Sequence, residues 1–258
     1  MRRPCLSRVL VAERLLTDPL FLLESLAGTR PPVGGDVLVD GAEGHHAVAV
    51  RRLRAGEAVV VADGAGGGVR GEVVDATKAG LRVRVTALLD EPAPAVRLVV
   101  AQALAKGDRA ELAVEMLTEV GVGEVVPWQA SRSIARWSAD RVERGLGRWR
   151  STAREAAKQS RRLRVPSVTE PLGTPALARR LGAADLALVL HEDATERIAA
   201  VDLPTSGEVV LVVGPEGGIS PEELAAFAEA GARTVRVGDH VLRTSTAGVV
   251  ALAALLNR

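Results

Sequence analysis

The sequence predicts an α/β protein in two parts: a small β-barrel or sandwich over residues 1–90, and a larger α/β region over 95–258 with an open parallel sheet. Three observations predict it. Short β-type runs separated by glycine fill the first ninety residues. After Ala95 strand-like and helix-like runs alternate. Near the carboxyl end, two consecutive strand-like runs empty into irregular connections, each followed by a helix start.

In the first part the β-type runs are 36–40, 58–62, 69–76 and 81–88. The last alternates, with Leu81, Val83, Val85 and Ala87 on one face and Arg82, Arg84 and Thr86 on the other, the period of a half-buried strand. Gly56-Glu57, Asp63-Gly64 and Ala79-Gly80 are turn signals. Gly66-Gly67-Gly68-Val69-Arg70-Gly71 has the spacing G-x-G-x-x-G, but a dinucleotide loop follows a strand and opens a helix. Here the glycines lead into a β-type run, so a hairpin loop is the better reading. Asp90-Glu91-Pro92-Ala93-Pro94 reads as a linker, because proline disfavours continuing either kind of element.

The second part opens with an apolar strand over 96–101 and a helix over 108–120, where Asp108 and Glu111 have capping-box spacing. A strand follows over 125–128. A long helix is expected over 138–160, with Val142, Leu146, Trp149, Ala153 and Ala156 in one stripe. At about 100° per residue, Arg144, Arg148, Arg154 and Lys158 fall on its other half. Thr174-Pro175 starts a helix as cap and first helical residue. A strand over 185–190 ends in His191-Glu192, and a short helix is expected over 194–201. After the strand 208–213, Ser220-Pro221-Glu222-Glu223 combines cap, proline and third-position acid as a helix start. A strand over 234–237 precedes the final helix, 246–256, which is apolar almost all round and so calls for cover on every side, part of it from a second subunit.

Composition narrows the classes. The chain has 258 residues, 47% of them apolar, so it can build a sizeable core without staples. Its one cysteine, Cys5, excludes an internal disulfide framework and fits a reducing, cytoplasmic compartment. No apolar run reaches the roughly 18 residues of a membrane span, and Arg8, Glu13 and Arg14 interrupt any export leader. The net charge of +1 hides an asymmetry: between Arg132 and Arg164 eleven basic residues face three acidic ones, a local +8. Such a segment is either a docking face for a polyanion or a solvated helix face in an arginine-rich chain. His45-His46 has no accompanying His/Cys cluster, so no metal site is expected. No P-loop is present, and no Ser/His/Asp set stands out for hydrolysis.

The chemistry is sought at the carboxyl ends of strands 208–213 and 234–237, because ligands of open parallel sheets bind there. The first empties into Gly214-Pro215-Glu216-Gly217-Gly218, where glycine admits positive φ and close approach of a ligand to the main chain. Such a loop suits a flat heterocycle read by backbone hydrogen bonds. The second empties into Gly238-Asp239-His240-Val241-Leu242-Arg243-Thr244-Ser245-Thr246-Ala247, which adds a cation and hydroxyls at a helix start.

These paired motifs, 214–218 and 241–247, resemble those of the SPOUT methyltransferases, and specifically of the RsmE family. Ala101-Gln102-Ala103-Leu104-Ala105-Lys106-Gly107-Asp108, Glu119-Val120-Gly121-Val122 and Gln159-Ser160-Arg161-Arg162 resemble further blocks of its catalytic domain. His45 to Arg54, with Gly56-Glu57, resembles its PUA-like RNA-binding barrel. Ser245 departs from the family, which commonly has glutamate there.

The resemblance implies a SPOUT-type α/β domain with a C-terminal trefoil knot, a PUA-like β-barrel, a homodimer, and S-adenosylmethionine held in the knot loops. The implied activity is methylation of N3 of a uridine in small-subunit (16S) ribosomal RNA. It implies an adenosine slot lined by the backbones of Leu190, Gly214, Val237, Gly238 and Leu242, with His191, Pro215, Glu216, Gly217, Gly218 and Ala247 around it and Thr244 and Thr246 at the ligand's polar end. Arg243 would stabilise charge developing on the uracil, and Glu192 and Glu216 are the candidate proton acceptors. Arg51, Arg52, Arg54, Lys106, Arg132, Arg144, Arg148, Arg154, Lys158, Arg161 and Arg162 would grip RNA phosphates. Two alternatives stay open: a SPOUT enzyme acting on another base or a ribose 2′-hydroxyl, and a non-catalytic RNA-binding assembly protein.

Overall fold

The computed structural model describes residues 17–257. Cys5, Arg8, Glu13 and Arg14, on which the disulfide and export expectations rest, lie outside the described residues. The chain forms two compact units, one of residues up to Ala93 together with Ala157–Val165, the other of Pro94–Ala156 with Pro166–Arg258.

The first unit holds β1 (Leu20–Leu22), β2 (Asp36–Val39), α1 (Gly41–His45), which runs on into a π-helical stretch at His46–Val50, then β3 (Ala58–Ala62), β4 (Gly67–Thr77) and β5 (Gly80–Asp90). Its sheet has the order β1-β3-β4-β5-β2 and is antiparallel except between β1 and β3. The glycine run is the hairpin turn its pattern predicts: the Asp63 carboxylate accepts from the N–H groups of Ala65 at 2.6 Å and Gly67 at 2.9 Å between β3 and β4. β5 alternates as its period requires, burying Leu81, Val83 and Val85 and exposing Arg82, Arg84 and Thr86.

One sheet face packs Phe21, Val59, Val61, Val69, Leu81 and Val83 into a core. The other carries Leu20, Leu22, Val60 and Leu89, covered by Leu163 with Val165 beside it. The N–H of Leu163 donates to Glu91 at 2.9 Å, and the Arg164 guanidinium donates to the Glu91 carbonyl. That apolar cover explains why Ala157–Val165 belongs to this unit, where the sequence pattern predicts an uninterrupted domain over 95–258.

The second unit holds β6 (Val96–Ala103), α2 (Arg109–Glu119), β7 (Glu124–Gln129), α3 (Val142–Gln159), β8 (Ser167–Val168), β9 (Leu172–Gly173), α4 (Thr174–Ala183), β10 (Leu186–Leu190), β11 (Gly207–Val213), α5 (Pro221–Glu229), β12 (Arg233–Val235) and α6 (Thr244–Leu256). Every strand pair is parallel, in the order β12-β10-β11-β6-β7-β8, with β9 also on β7. On one face Val99, Ala101, Val126, Val210 and Val212 pack with Leu177 of α4 and Phe227 of α5, and Trp128 meets Phe227 edge-on. α6 lies against α2, β11 and β6. Gly248 permits that approach, since a Cβ there would stand 3.1 Å from Val213 and 3.3 Å from Leu117. α3 buries Leu146, Trp149, Ala153 and Ala156, the predicted stripe.

Several local expectations need correction. The 194–201 helix shrinks to one 3-10 turn, Ile198–Ala200. Asp108 is the N-cap of α2 but its side chain makes no capping bond. Gly173, not Thr174, caps α4, and the Thr174 hydroxyl donates instead to Glu223 at 2.8 Å. The Ser220–Glu223 capping box forms as expected, with both reciprocal bonds present. Among the described residues no helix is long and apolar enough to cross a membrane.

Candidate active site

The carboxyl ends of β10, β11 and β12 point the same way, because the three strands are parallel neighbours of one sheet. A cavity of about 720 Å³ opens beyond them. β10 supplies Leu190, with His191 and Glu192 just past its end. Beyond β11 stand Gly214, Pro215, Glu216 and Gly218. Beyond β12 stand Val237, Gly238 and Leu242, followed by Arg243, Thr244 and Ala247 at the start of α6. Lys106, expected to contact RNA, lies on the same wall.

Two predicted members stand aside. Gly217 does not line the cavity: a Cβ there would lie 3.0 Å from the Arg132 carbonyl oxygen, so this residue meets the segment after β7. Thr246 turns its hydroxyl back to donate to the Arg243 carbonyl at 3.2 Å. His240 and Val241 of the 238–247 connection are on the wall as well, and so are Arg109, Ile134 and Arg236, which the sequence motifs do not single out. Arg109 follows directly on the Lys106-Gly107-Asp108 block, so it is within reach of that motif; nothing in the sequence marks Ile134.

Hydrogen bonds fix these connections. The N–H of His191 donates to the Val235 carbonyl at 3.0 Å, and the N–H of Arg236 to the Glu196 carbonyl at 2.9 Å. Asp239 accepts from Arg197 at 2.9 Å and from Arg236 at 3.2 Å, which holds the 236–243 connection at its middle. Gly218 has φ +74° and donates to the Pro215 carbonyl at 2.9 Å, a turn that a side-chain-bearing residue would strain. The exposed Glu216 carboxylate accepts from the N–H of Lys106 at 3.3 Å and so ties the β11 connection to the one after β6.

The wall mixes few charges with much backbone. Lys106, Arg109 and Arg243 bring cations, and Glu192 and Glu216 bring carboxylates. A Cβ at Gly238 or Gly218 would meet no protein atom within 4 Å, so the missing side chains leave room beside the main chain. Among the described residues, no backbone carbonyl accepts from the N–H groups of 238–242. A flat heterocycle with ring nitrogens fits such a wall, and a carboxylate-bearing tail fits the cations. Two buried polar atoms under α6, the Gln102 amide oxygen and the Ser245 hydroxyl, have no partner among the described residues. Ser245 is fully buried, so its side chain is directed away from the cavity.

The basic residues expected to meet phosphates fall into three groups. Arg51, Arg52, Arg54, Lys106, Arg132, Arg144 and Arg148 are exposed, Arg148 within 3.3 Å of Glu111. Arg154, Arg161 and Arg162 are half-buried; Arg161 donates to the Lys158 carbonyl at 2.8 Å, and burial pushes the Arg162 guanidinium below its ordinary pKa. Lys158 is a correction: it is buried and paired with Glu43 at 3.1 Å, because the end of α3 packs inside the first unit and takes this side chain out of solvent. Among the described residues no cluster of three His, Cys, Asp or Glu could hold a metal ion.

Known proteins resemble this chain over nearly its whole length. The model of an RNA methyltransferase domain matches residues 91–256, and that of an RNA methyltransferase PUA domain matches 39–86. A Mycobacterium bovis protein named ribosomal RNA small subunit methyltransferase E is 49% identical over 92% of this chain and 90% of its own. A Bacillus subtilis protein of the same name is 29% identical over 84% of this chain and 88% of its own. The solved structure of a ribosomal RNA small subunit methyltransferase E from Neisseria gonorrhoeae bound to S-adenosyl methionine has a TM-score of 0.82 and 26% identity, covering 92% of this chain and 96% of that one. Fold, domain matches and identity agree: the chain belongs to the RsmE family of RNA methyltransferases.

Proposed function

We propose that this protein transfers the methyl group of S-adenosylmethionine to N3 of a uridine in small-subunit ribosomal RNA. The observation that carries the reading is the single cavity gathering the ends of β10, β11 and β12, with the 214–218 connection on one wall and Arg243 on another. In this reading the adenosine lies along Leu190, Gly214, Val237, Gly238 and Leu242, and the cations Lys106 and Arg109 face its charged tail.

The bound sulfonium supplies a methyl group already activated for displacement, so the protein makes no covalent bond. Its residues align the uracil N3 with that methyl, and alignment alone lowers a barrier by ~7–11 kcal/mol in favourable cases. As the N3 proton leaves, negative charge spreads to the uracil carbonyl oxygens. Arg243, exposed at the cavity and capping α6 with its main chain, places a guanidinium there. Of the two carboxylates, Glu216 is engaged by the Lys106 N–H, which leaves Glu192 to accept the proton.

Residues 1–90, with the exposed Arg51, Arg52 and Arg54, bind RNA backbone, as do Arg132, Arg144 and Arg148 of the 95–258 domain. Val250 and Leu256 of α6 and Leu112 of α2 are exposed apolar side chains, which supports a homodimer through these helices. Residues 236–243 return the chain from edge strand β12 to α6 on β11, a crossover that suits a trefoil threading. The site of action is the cytoplasm, on RNA free or within the subunit.

The test is Arg243→Ala with small-subunit ribosomal RNA as substrate and mass spectrometry of the released nucleosides. Donor affinity should stay within a few-fold, and formation of N3-methyluridine should fall by about 10²–10³, the range for losing one preorganised charge-stabilising donor. Unchanged turnover would remove Arg243 from the reaction. Appearance of a methylated ribose or another methylated base with the wild-type protein would overturn the acceptor assignment.

A further inference from the structure

Glu223 is a carboxylate only 4% exposed, yet no cation of the described residues is paired with it. It sits in the first turn of α5. Its Oε1 accepts from the N–H of Ser131 at 2.8 Å and the hydroxyl of Thr174 at 2.8 Å. Its Oε2 accepts from the hydroxyl of Ser131 at 2.9 Å and the N–H of Ser220 at 3.1 Å. One side chain therefore joins three separate stretches: the segment after β7, the start of α4 and the start of α5.

Two of those stretches lead to the cavity. Ser220 ends the 214–220 connection, whose Gly214, Pro215, Glu216 and Gly218 form one wall. Ser131 begins the segment that carries Ile134, a residue 65% exposed and on the same cavity. These stretches also lie close together, for a Cβ on Gly217 would stand 3.0 Å from the Arg132 carbonyl oxygen and 3.2 Å from the Arg132 Cβ. A shift of Ser131 would thus move Arg132 against the glycine loop.

We infer that Glu223 is a positioning residue for the methyl-donor site, whose ionised carboxylate locks the 214–220 connection to the 131–134 segment in the geometry that admits the donor. This rests on the proposed placement of the donor against the 214–218 connection. The chemistry demands the ionised acid. All four partners donate, and two are backbone N–H groups that cannot turn round. The amide of a glutamine must set its NH2 against either the Ser131 N–H or the Ser220 N–H, whichever way it is flipped. Either orientation leaves one buried donor unsatisfied. The electrostatics of the pocket agree: burial would raise this carboxyl, but the bonds from Ser131, Thr174 and Ser220 outweigh it and hold it below its ordinary value.

The experiment compares wild type, Glu223→Gln and Ser131→Ala by calorimetry with S-adenosylmethionine and by steady-state methylation of ribosomal RNA. For Glu223→Gln, the donor Kd and KM should rise about tenfold, the size set by one unsatisfied buried N–H. Binding stoichiometry, kcat at saturating donor and the KM for RNA should hold. Ser131→Ala, which removes one hydroxyl donor and keeps three bonds, should give a smaller rise in the same parameter, and it carries the test if Glu223→Gln does not fold. A merely structural role predicts the opposite split, a lower stoichiometry with an unaltered donor KM. That split, or an unchanged donor KM in whichever variants fold, overturns the inference. Gly238→Val separates the two claims. If it leaves donor affinity intact, the placement of the donor itself fails; if it weakens the donor and the Glu223 and Ser131 variants do not, only the positioning role fails.

Discussion

Gly238→Val asks whether the cavity beyond β12 is the donor slot. The position suits the question because protein and ligand effects separate there. Gly238 lines the cavity, its φ lies outside the left-handed range, and a Cβ would meet no protein atom within 4 Å. A side chain therefore meets no left-handed strain here, and its Cβ strikes nothing in the fold. Replacing glycine at a compatible site restricts the unfolded chain and adds about 0.4–1 kcal/mol to stability. The side chain instead enters space the ligand requires. Forcing one extra branched group into a filled site costs about 1–3 kcal/mol, which is roughly a 5- to 150-fold loss of donor affinity. Calorimetric titration with S-adenosylmethionine reads the second number, and urea unfolding reads the first. Unaltered affinity in a stably folded variant would refute the slot. A loss of stability larger than the loss of binding would refute the claim that nothing in the protein occupies that space.

Arg144→Glu with Arg148→Gln should weaken RNA binding and flatten the plot of log K against log salt by about one unit for each phosphate no longer neutralised; glutamine is chosen at 148 because a carboxylate there would face Glu111. An unchanged slope would return this helix face to plain solvation. Acid titration gives a second outcome. The Arg84 guanidinium hydrogen-bonds Asp36 and holds its carboxyl below its ordinary value, and Glu223 is held low by its donors against the pull of burial. Both folded pKa values lie below the unfolded ones, so their contribution is complete above about pH 4–5 and is lost as pH falls through the folded values. Urea unfolding across that window should show stability falling with acid, less steeply in Asp36→Asn; an equal slope in the variant would remove Asp36 from the account.

Most of the site is legible in the sequence because two of its three walls are local. A glycine-rich connection after a buried strand, or a cation and hydroxyls at a helix start, is written in consecutive residues, and the rule for parallel sheets then puts both at one edge. Gly217 and Thr246 sit in those motifs yet face away, since which side of a loop reaches the cavity is set by packing against Arg132 and by the first turn of α6. Lys158 departs from its expected place for a related reason. Helical periodicity puts it opposite the apolar stripe, and tertiary pairing with Glu43 accompanies its burial. Leu163 and Ile134 illustrate what sequence patterns cannot reach: each acts on residues far along the chain, Leu163 on the first unit's sheet and Ile134 on the cavity. The strand β1 and the helical 41–50 stretch escape the sequence pattern because three residues give no period and Gly41 and Gly44 disguise a short helix.

The two ends of the parallel sheet are built to different ends, and one substitution should separate them. At the amino ends, Glu124 is 3% exposed and pairs with Arg97 and Arg180, while Arg180 also reaches Glu208 at 3.1 Å. Burial alone would lower the Arg180 guanidinium, but its bonds to Glu124 and Glu208 raise it above the ordinary value. Carboxylates and guanidiniums satisfy one another there, so this edge knits β6, β7, β11 and α4 and offers a ligand nothing. At the carboxyl ends the sheet stops in glycines, cations and the N–H groups of 238–242, from which no backbone carbonyl of the described residues accepts, an arrangement with donors to spare for a ligand. Arg180→Ala should therefore cost stability without touching chemistry. Losing charge-assisted bonds to the buried Glu124 costs about 1.5–3 kcal/mol, moderated because Arg97 and the Ser167 hydroxyl still reach that carboxylate. Unfolding in urea should shift by that amount while donor Kd, measured per folded molecule, stays put. A donor affinity that falls with the stability would mean that strain at the amino edge reaches the cavity through the strands, and the separation of the two ends would be wrong.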